Sequence, residues 1–408
     1  MRRIFYIFGH FFVALLFALL ALVSLSEASF IYDFEEPHPF EGPDILDPYA
    51  SFDSNAGWKR ANLHTHTRVA GILNECPDWP DKVYGDYMKF GYDILAFSNH
   101  NELTEHPVDR RLQIDVYEHG INFFKFHKLV FNPSRMILHD IMLPFLASQR
   151  QFELDYLGRN ADFVVLNHPD RTEFTTADMM EKLSGYRLME VDCGPRTDCL
   201  RWDEALSAGH YSFCLADDDC HDSNVSDNIA MRCSWWNAAS SRYEDVCSAL
   251  LGGCGYAMRI PDFGHGDWKV KYRENASLPY IESIGMYGTD TVTLVLSAPA
   301  SVIKVWGENH TVLDSIAESR SISYAVRPQD SYVRLSAEFE NGVIIYTNPF
   351  ARYDKNKAES PFSDSPHSVN WLLTVLFNLA VLALTVLLAL ISVKSASSFC
   401  RRSDRCLR

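Results

Sequence analysis

Between residues 60 and 260 the sequence predicts an α/β domain on a mostly parallel sheet or a barrel. After about residue 270 it predicts a small antiparallel β unit. Three observations carry this. Short apolar strands alternate with helix-like stretches, polar side chains recur where those strands end, and strand-like segments with hairpin signals follow residue 270.

Met1-Arg2-Arg3 opens the chain, ahead of an apolar run from Ile4 to about Leu25 and the small-residue stretch Ser26-Glu27-Ala28. Residues 1–28 therefore read as a signal peptide or an uncleaved signal anchor. Residues 29–57, rich in Pro, Asp and Glu, form a lead-in. In the domain at 58–265, "DILAFS" (93–98), "DFVVLN" (162–167), "RLMEV" (187–191) and "YSFCLA" (211–216) are strand candidates. "WPDKVYGDYMKFG" (79–91), "FTTADMMEKLSG" (174–185) and "RWDEALSAG" (201–209) are helix candidates that end at Gly. The β unit spans 275–352, with turns at Gly-Glu-Asn and Glu-Asn-Gly, and a polar linker covers 353–370.

Residues 371–393 carry no charge and one strongly polar residue, Asn378. At ~1.5 Å per residue they cross a ~30 Å hydrocarbon core. Lys394, Arg401, Arg402, Arg405 and Arg408 follow, so the tail 394–408 is expected in the cytoplasm. The segment 29–370 is then extracytoplasmic: extracellular, lumenal or periplasmic. Cys76, Cys193, Cys199, Cys214, Cys220, Cys233, Cys247 and Cys254 all fall there. An even set in an oxidising compartment predicts disulfides, with Cys193–Cys199 as a short loop and Cys220 left free or buried. The net charge of −16 and the lack of a Lys/Arg stripe exclude a nucleic-acid-binding patch.

Each strand of the α/β domain runs into a candidate metal ligand. The first ends at His64 and His66, "DILAFS" leads to Asn99-His100, "DFVVLN" to His168, and "YSFCLA" to Asp219 and His221; "RLMEV" contains Glu190. Packing explains any one of these. Their joint placement points to a metal site, because strand ends of a barrel converge on one mouth. Alternation puts His64 and His66 on one side, and likewise Asp219 and His221. Mixed nitrogen and oxygen donors suit Zn, Mn or Fe.

"NLHTHT", "GYDILAFSNHN", "LNHPD" and "ADDDCHD", in that order, resemble the motifs of the PHP (polymerase and histidinol phosphatase) superfamily over residues 60 to about 260. The resemblance implies a distorted (β/α)7 barrel, two or three divalent metal ions and hydrolysis of phosphate esters, with a phosphorylated small molecule or a phosphodiester as substrate. It also implies that the small β unit is an appended domain. It assigns His64, His66, His100, Glu118, His127, His168, Asp219 and His221 as metal ligands. Glu118 bridges, and Glu118, Asp219 and His221 are catalytic. Glu190 is either a ligand or a strand residue bonded to a neighbouring loop. Arg68 and Arg171 either hold a substrate anion or pair with a surface carboxylate.

Two positions depart from the family pattern. The Asp that follows the first His pair is absent from Arg68-Val69-Ala70-Gly71, with Asn74, Glu75 and Asp78 as nearby replacements, and the Asp before His100 is Asn99. The expected function is a membrane-tethered metal-dependent hydrolase, a phosphoesterase. The alternative is a degenerate PHP-fold binding module without hydrolytic activity.

Overall fold

The computed structural model describes residues 2–71, 74–192, 199–362 and 367–404. Cys193, Arg405, Cys406 and Arg408 lie outside the described residues. The protein is a mixed α/β fold with eight α-helices and two large sheets among those residues.

Five strands form one sheet in the order Val116–His119, Lys128–Phe131, Phe163–Leu166, Leu188–Glu190 and Phe213–Leu215. The last two steps are parallel, and the first two are antiparallel. All five strands are buried throughout, as their near-continuous apolar composition requires. The other sheet has 11 strands. Its path ends with Gly255–Arg259, Arg232–Trp236, Lys59–Asn62 and Ile94–Leu95.

The sheets meet at two seams, and each seam is a single parallel bridge: Thr65 with Cys220, and His100 with Glu118. Seven strands from Lys59 to Leu215 thus follow one another in a ring, but the ring is not a closed sheet. Of the expected distorted (β/α)7 barrel, the described residues show the mixed α/β fold and the order of strands but no closed sheet. The physical reason lies in the connections. Only eight residues separate His119 from Lys128, too few for a parallel crossover, so that pair folds back antiparallel.

The β-rich segment is continuous with this core. Ile344–Thr347 pairs with Gly255–Arg259, so the hydrogen-bond ladder runs from the α/β part into Tyr332–Glu338 and Thr291–Gly307. "TVTLVLS" and "SVIKVWG" are one strand of 17 residues, with a register shift between Val295 and Ala300. Pro299 falls in that shift, where its missing N–H costs no ladder bond. Both expected turns form, at residues 308–310 and 340–342.

Among the described residues the expected disulfides do not form, and the expected Cys193–Cys199 loop falls on Cys193, outside the described residues. Cys76, Cys214, Cys220, Cys233, Cys247 and Cys254 are free thiols. Five of these six are buried, and Cys247 is half-buried. Burial pushes the Cys214 and Cys254 thiols up to about 12. They act as small apolar core residues, so their even number says nothing about compartment.

Two helices stand apart from the core. Arg2–Ser26 and Trp371–Asp404 pack against each other. Thr385 bonds Ser24 at 2.9 Å and Ser392 bonds the Ala14 carbonyl at 2.7 Å, a pairing that runs antiparallel. Both contain stretches long and apolar enough to cross a membrane, Gly9–Ser26 and Trp371–Phe399. Below them Tyr32–Phe34 pairs antiparallel with His367–Val369, inside the stretch expected to be a polar linker. This stem is fixed to the helix Ala147–Gly158: Asp155 accepts from the Tyr32 hydroxyl at 2.9 Å and lies 3.0 Å from His367 Nε2.

Candidate metal centre

The ligand candidates reach one pocket from both sheets. His64 and His66 follow the strand Lys59–Asn62, and His100 follows Ile94–Leu95. Glu118 lies on Val116–His119, His127 precedes Lys128–Phe131, His168 follows Phe163–Leu166, and Asp219 and His221 follow Phe213–Leu215. Two of these residues hold unusual backbone, His168 at φ 30° and Asp219 at φ 51°. Left-handed non-glycine residues are rare, and such strain concentrates at functional sites. Gly120 has φ +124°, and a Cβ there would come within 2.8 Å of the His127 ring. That position needs glycine for His127 to stand where it does.

Glu118 is the hub. Its Oε2 lies 3.2 Å from Nε2 of each of His64, His66 and His100. Its Oε1 faces His127 Nδ1 at 3.0 Å and His168 Nε2 at 3.2 Å, and accepts from Asn167 at 2.9 Å. Asp219 Oδ1 lies 3.1 Å from His64 Nε2 and 3.0 Å from His66 Nε2. Three groups of donor atoms are close enough to share an ion: His64, His66, Glu118 and Asp219; His100, Glu118 and His127; and His66, Glu75 and His221. Adjacent donors on one tetrahedral ion at bond lengths of about 2.0–2.1 Å stand ~3.3 Å apart, close to these spacings.

His64 shows that the pocket fits a cation. Its Nδ1 lies 2.6 Å from Glu190 Oε1, so in the neutral ring Nδ1 is the donor and Nε2 carries the lone pair once its proton is displaced. Nε2 is buried and has no hydrogen-bond partner among the described residues, although two carboxylates stand beside it. Glu190 also accepts from the His168 backbone N–H at 2.8 Å. It therefore orients ligand candidates from behind rather than joining a donor group.

Electrostatics agree. Burial disfavours charge on Glu118 and Asp219, but the surrounding imidazoles outweigh it and hold both carboxyls well below the usual range. Burial opposes protonation of His66 too, but Asp219 and Glu118 overcome it and lift the imidazole to about 9. The same carboxylates raise His64 well above its ordinary value against its burial. The carboxylates thus draw positive charge onto His64 and His66, while burial holds His100 and His168 below their ordinary value.

The remaining expected residues divide. Arg171 is ion-paired with Asp219 Oδ2, at the rim of the cluster. Arg68 instead lies over the Trp79 ring at 5.2 Å and takes no part. Asn99 accepts from the Thr67 N–H and donates to Thr67 and Thr104, so it ties loops together. Of the run Asp217-Asp218-Asp219, only Asp219 faces the cluster. Asp217 accepts from the Leu63 N–H, and Asp218 from the N–H groups of Ala230, Met231 and Arg232. Glu75 was one of three open choices. It stands 3.1 Å from His100 Nε2 and 3.8 Å from His221 Nε2, on the open side of the pocket. Sequence alone could not choose it, because the described residues around it, 68–71 and 74–75, have no regular structure.

The chain is similar to the crystal structure of a two-domain protein from Bacteroides vulgatus containing a predicted PHP-like metal-dependent phosphoesterase. The match covers 78% of this chain and 100% of that one, at 15% identity and a TM-score of 0.36. That likeness is too loose to equate the two folds. No protein-family model matches the chain, and no curated protein does.

Proposed function

We propose that this protein is a metal-dependent hydrolase of phosphate esters, of the PHP type, tethered to a membrane and acting outside the cytoplasm. One observation carries the reading. The two oxygens of Glu118 face separate sets of imidazoles, the arrangement a carboxylate needs to bridge two ions.

His64, His66, Asp219 and Glu118 Oε2 would hold one Zn, Mn or Fe ion, and His100, His127 and Glu118 a second. His168 adds a nitrogen beside Glu118 Oε1. Glu75, His66 and His221 offer a third, more open place. Two close ions supply an activated water and neutralise phosphoryl oxygens. His221 donates Nδ1–H to the Asp219 carbonyl at 2.8 Å, which turns the Nε2 lone pair toward Glu75. Arg171, beside Asp219, is placed to take a phosphate oxygen in its fork. Burial of Glu118 and Asp219 keeps bulk water from competing for the donors.

The tether reading rests on the paired apolar helices, with Arg2 and Arg3 at one end and Lys394 on the same side through the antiparallel packing. That packing favours a retained anchor over a cleaved signal peptide. Small and hydroxyl residues line the contact, as in membrane helix pairs.

Elemental analysis of the purified chain, with turnover of phosphomonoesters, phosphodiesters and inositol phosphates in Mn or Zn, tests the proposal. Two or more ions per chain and hydrolysis are expected. A chain that binds no ion sinks it. Ion binding without turnover of any ester supports the degenerate binding module, which the Arg171–Asp219 pair and Asn99 favour.

A further inference from the structure

Exposed apolar side chains are gathered on one side of the α/β part. Phe123, Leu138 and Phe145 are 66%, 67% and 61% exposed, and Phe174 and Leu146 are 50% and 44% exposed. They come from three loops, 120–127, 132–146 and 172–176, of which the first joins the other two. Phe124 is buried beneath them, stacked on Phe174 at 4.2 Å and edge-on to Phe145 at 4.7 Å. The Phe123 N–H bonds the Met142 carbonyl at 3.1 Å, which joins the loop of Phe123 to that of Phe145. Contiguous exposed apolar surface of this kind marks an interaction face.

What covers it follows from its place. The first apolar helix ends at Ser26. Ser26 Oγ accepts from the Met142 N–H at 3.3 Å, and Glu27 Oε1 accepts from the Leu143 N–H at 2.9 Å. Glu27 Oε2 accepts from Gln149 at 2.8 Å. The loop that carries Phe145 and Leu146 is therefore bonded to the last turn of a membrane span. Trp371 opens the other span, is 66% exposed and contacts Phe30 at 5.7 Å. An exposed Trp at a helix end sits at headgroup level. Lys125 is exposed beside Phe123 and is placed to meet lipid phosphates.

We propose that this aromatic face docks onto the lipid bilayer that the two helices cross, so that the α/β part lies against the membrane rather than standing off on its stem. The proposal rests on the membrane reading given above. It also places two site-bearing loops at the headgroups: Phe124 is three residues before His127, and Phe174 three residues after Arg171.

The test uses the full chain reconstituted into phosphatidylcholine–phosphatidylserine vesicles that contain a lipid with a photoactivatable group near its headgroup. Cross-links are mapped by mass spectrometry. Labels are expected in 120–126, 138–146 and at Phe174, besides the two spans. In the triple variant Phe123→Ser, Phe145→Ser, Leu146→Ser, those labels should fall several-fold while the spans stay labelled. The parent experiment alone already decides the case if the variant fails to fold. Labelled spans with unlabelled loops would overturn the docking and leave the tether intact; a face reserved for a protein partner gives that result. Unlabelled spans would overturn the tether, and the docking with it.

Discussion

The antiparallel pair Val116–His119 and Lys128–Phe131 carries two buried charged clusters on opposite faces. On one face Glu118, with His127 just before the partner strand, enters the metal pocket. On the other, His119 and Lys128 sit opposite each other in register. Lys128 Nζ bonds Glu153 at 2.8 Å and the Phe126 carbonyl at 2.9 Å. Asp140 accepts from the Ile121 N–H and from Asn122. That second face contains its own cation, fully buried. The first has carboxylates and imidazoles with no cation at its centre; Arg171 pairs with Asp219 only at the rim. The difference separates a cluster closed by its own buried lysine from one whose donor atoms could share an ion.

The largest effect should separate the two faces outright. Glu118→Gln should remove most bound metal and lower hydrolysis at least ~100-fold, because one carboxylate serves both donor sets; the metal-free melting point should change little. Lys128→Met should do the reverse. It leaves the buried Asp140 carboxylate without its neighbouring cation, which costs about 3–5 kcal/mol, while metal per folded chain stays constant. Calorimetry and elemental analysis on both variants check this, and a Lys128→Met chain that loses metal stoichiometrically would erase the distinction.

A smaller effect is expected behind the ligands. Glu190→Gln should weaken metal affinity roughly 10–100-fold, the usual consequence of losing a ligand's orienting partner, and leave the melting point of the metal-free chain nearly unchanged. Competition with a chelator measures it.

The smallest effects concern pH and have opposite signs. With His66 lifted to about 9, protons compete with the ion below that pH, so metal affinity should climb from pH 6 to 9. Across the strands, burial and the neighbouring Asp140 push Glu153 up to about 8 against the pull of Lys128. An acid raised on folding keeps its proton while the unfolded chain has lost it. Its contribution to stability is complete below the ordinary carboxyl range and is lost as pH rises toward 8. Glu153→Gln should flatten the stability curve of the metal-free chain between pH 5 and 8. A slope identical to the parent's would show that Glu153 is ionised throughout.

The tether makes a further prediction. In sealed vesicles with the cytoplasmic face outward, protease should remove residues after Lys394 and spare 29–370. Cuts within 29–370 would refute the proposed orientation.

Much of this was legible in the sequence because period-2 strands and helix stops are local signals. "DFVVLN" appears as Phe163–Leu166 and "RWDEALSAG" as Leu200–Ser207. His64, His66, His100, His168 and His221 were legible because each follows a strand; His127 precedes one and came only from the resemblance. "FTTADMMEKLSG" gave only the short helix Ala177–Met180. The fold-back at Gly120 was missed, because no crossover length can be judged before the strands are known. Glu75 and the failed ring closure depend on contacts between distant loops, and no local pattern carries those. The cysteines misled because pairing was inferred from number, whereas burial decided their role.

The ladder between Tyr32–Phe34 and His367–Val369 joins nearly the first and last residues outside the apolar helices. It has a consequence for biosynthesis. The ladder cannot form until almost the whole chain has left the ribosome, and by then the intervening 330 or so residues have had time to collapse. A chain that stops before residue 367 leaves Tyr32–Phe34 as an unpaired edge, the kind of segment that quality-control proteases and aggregation both find first.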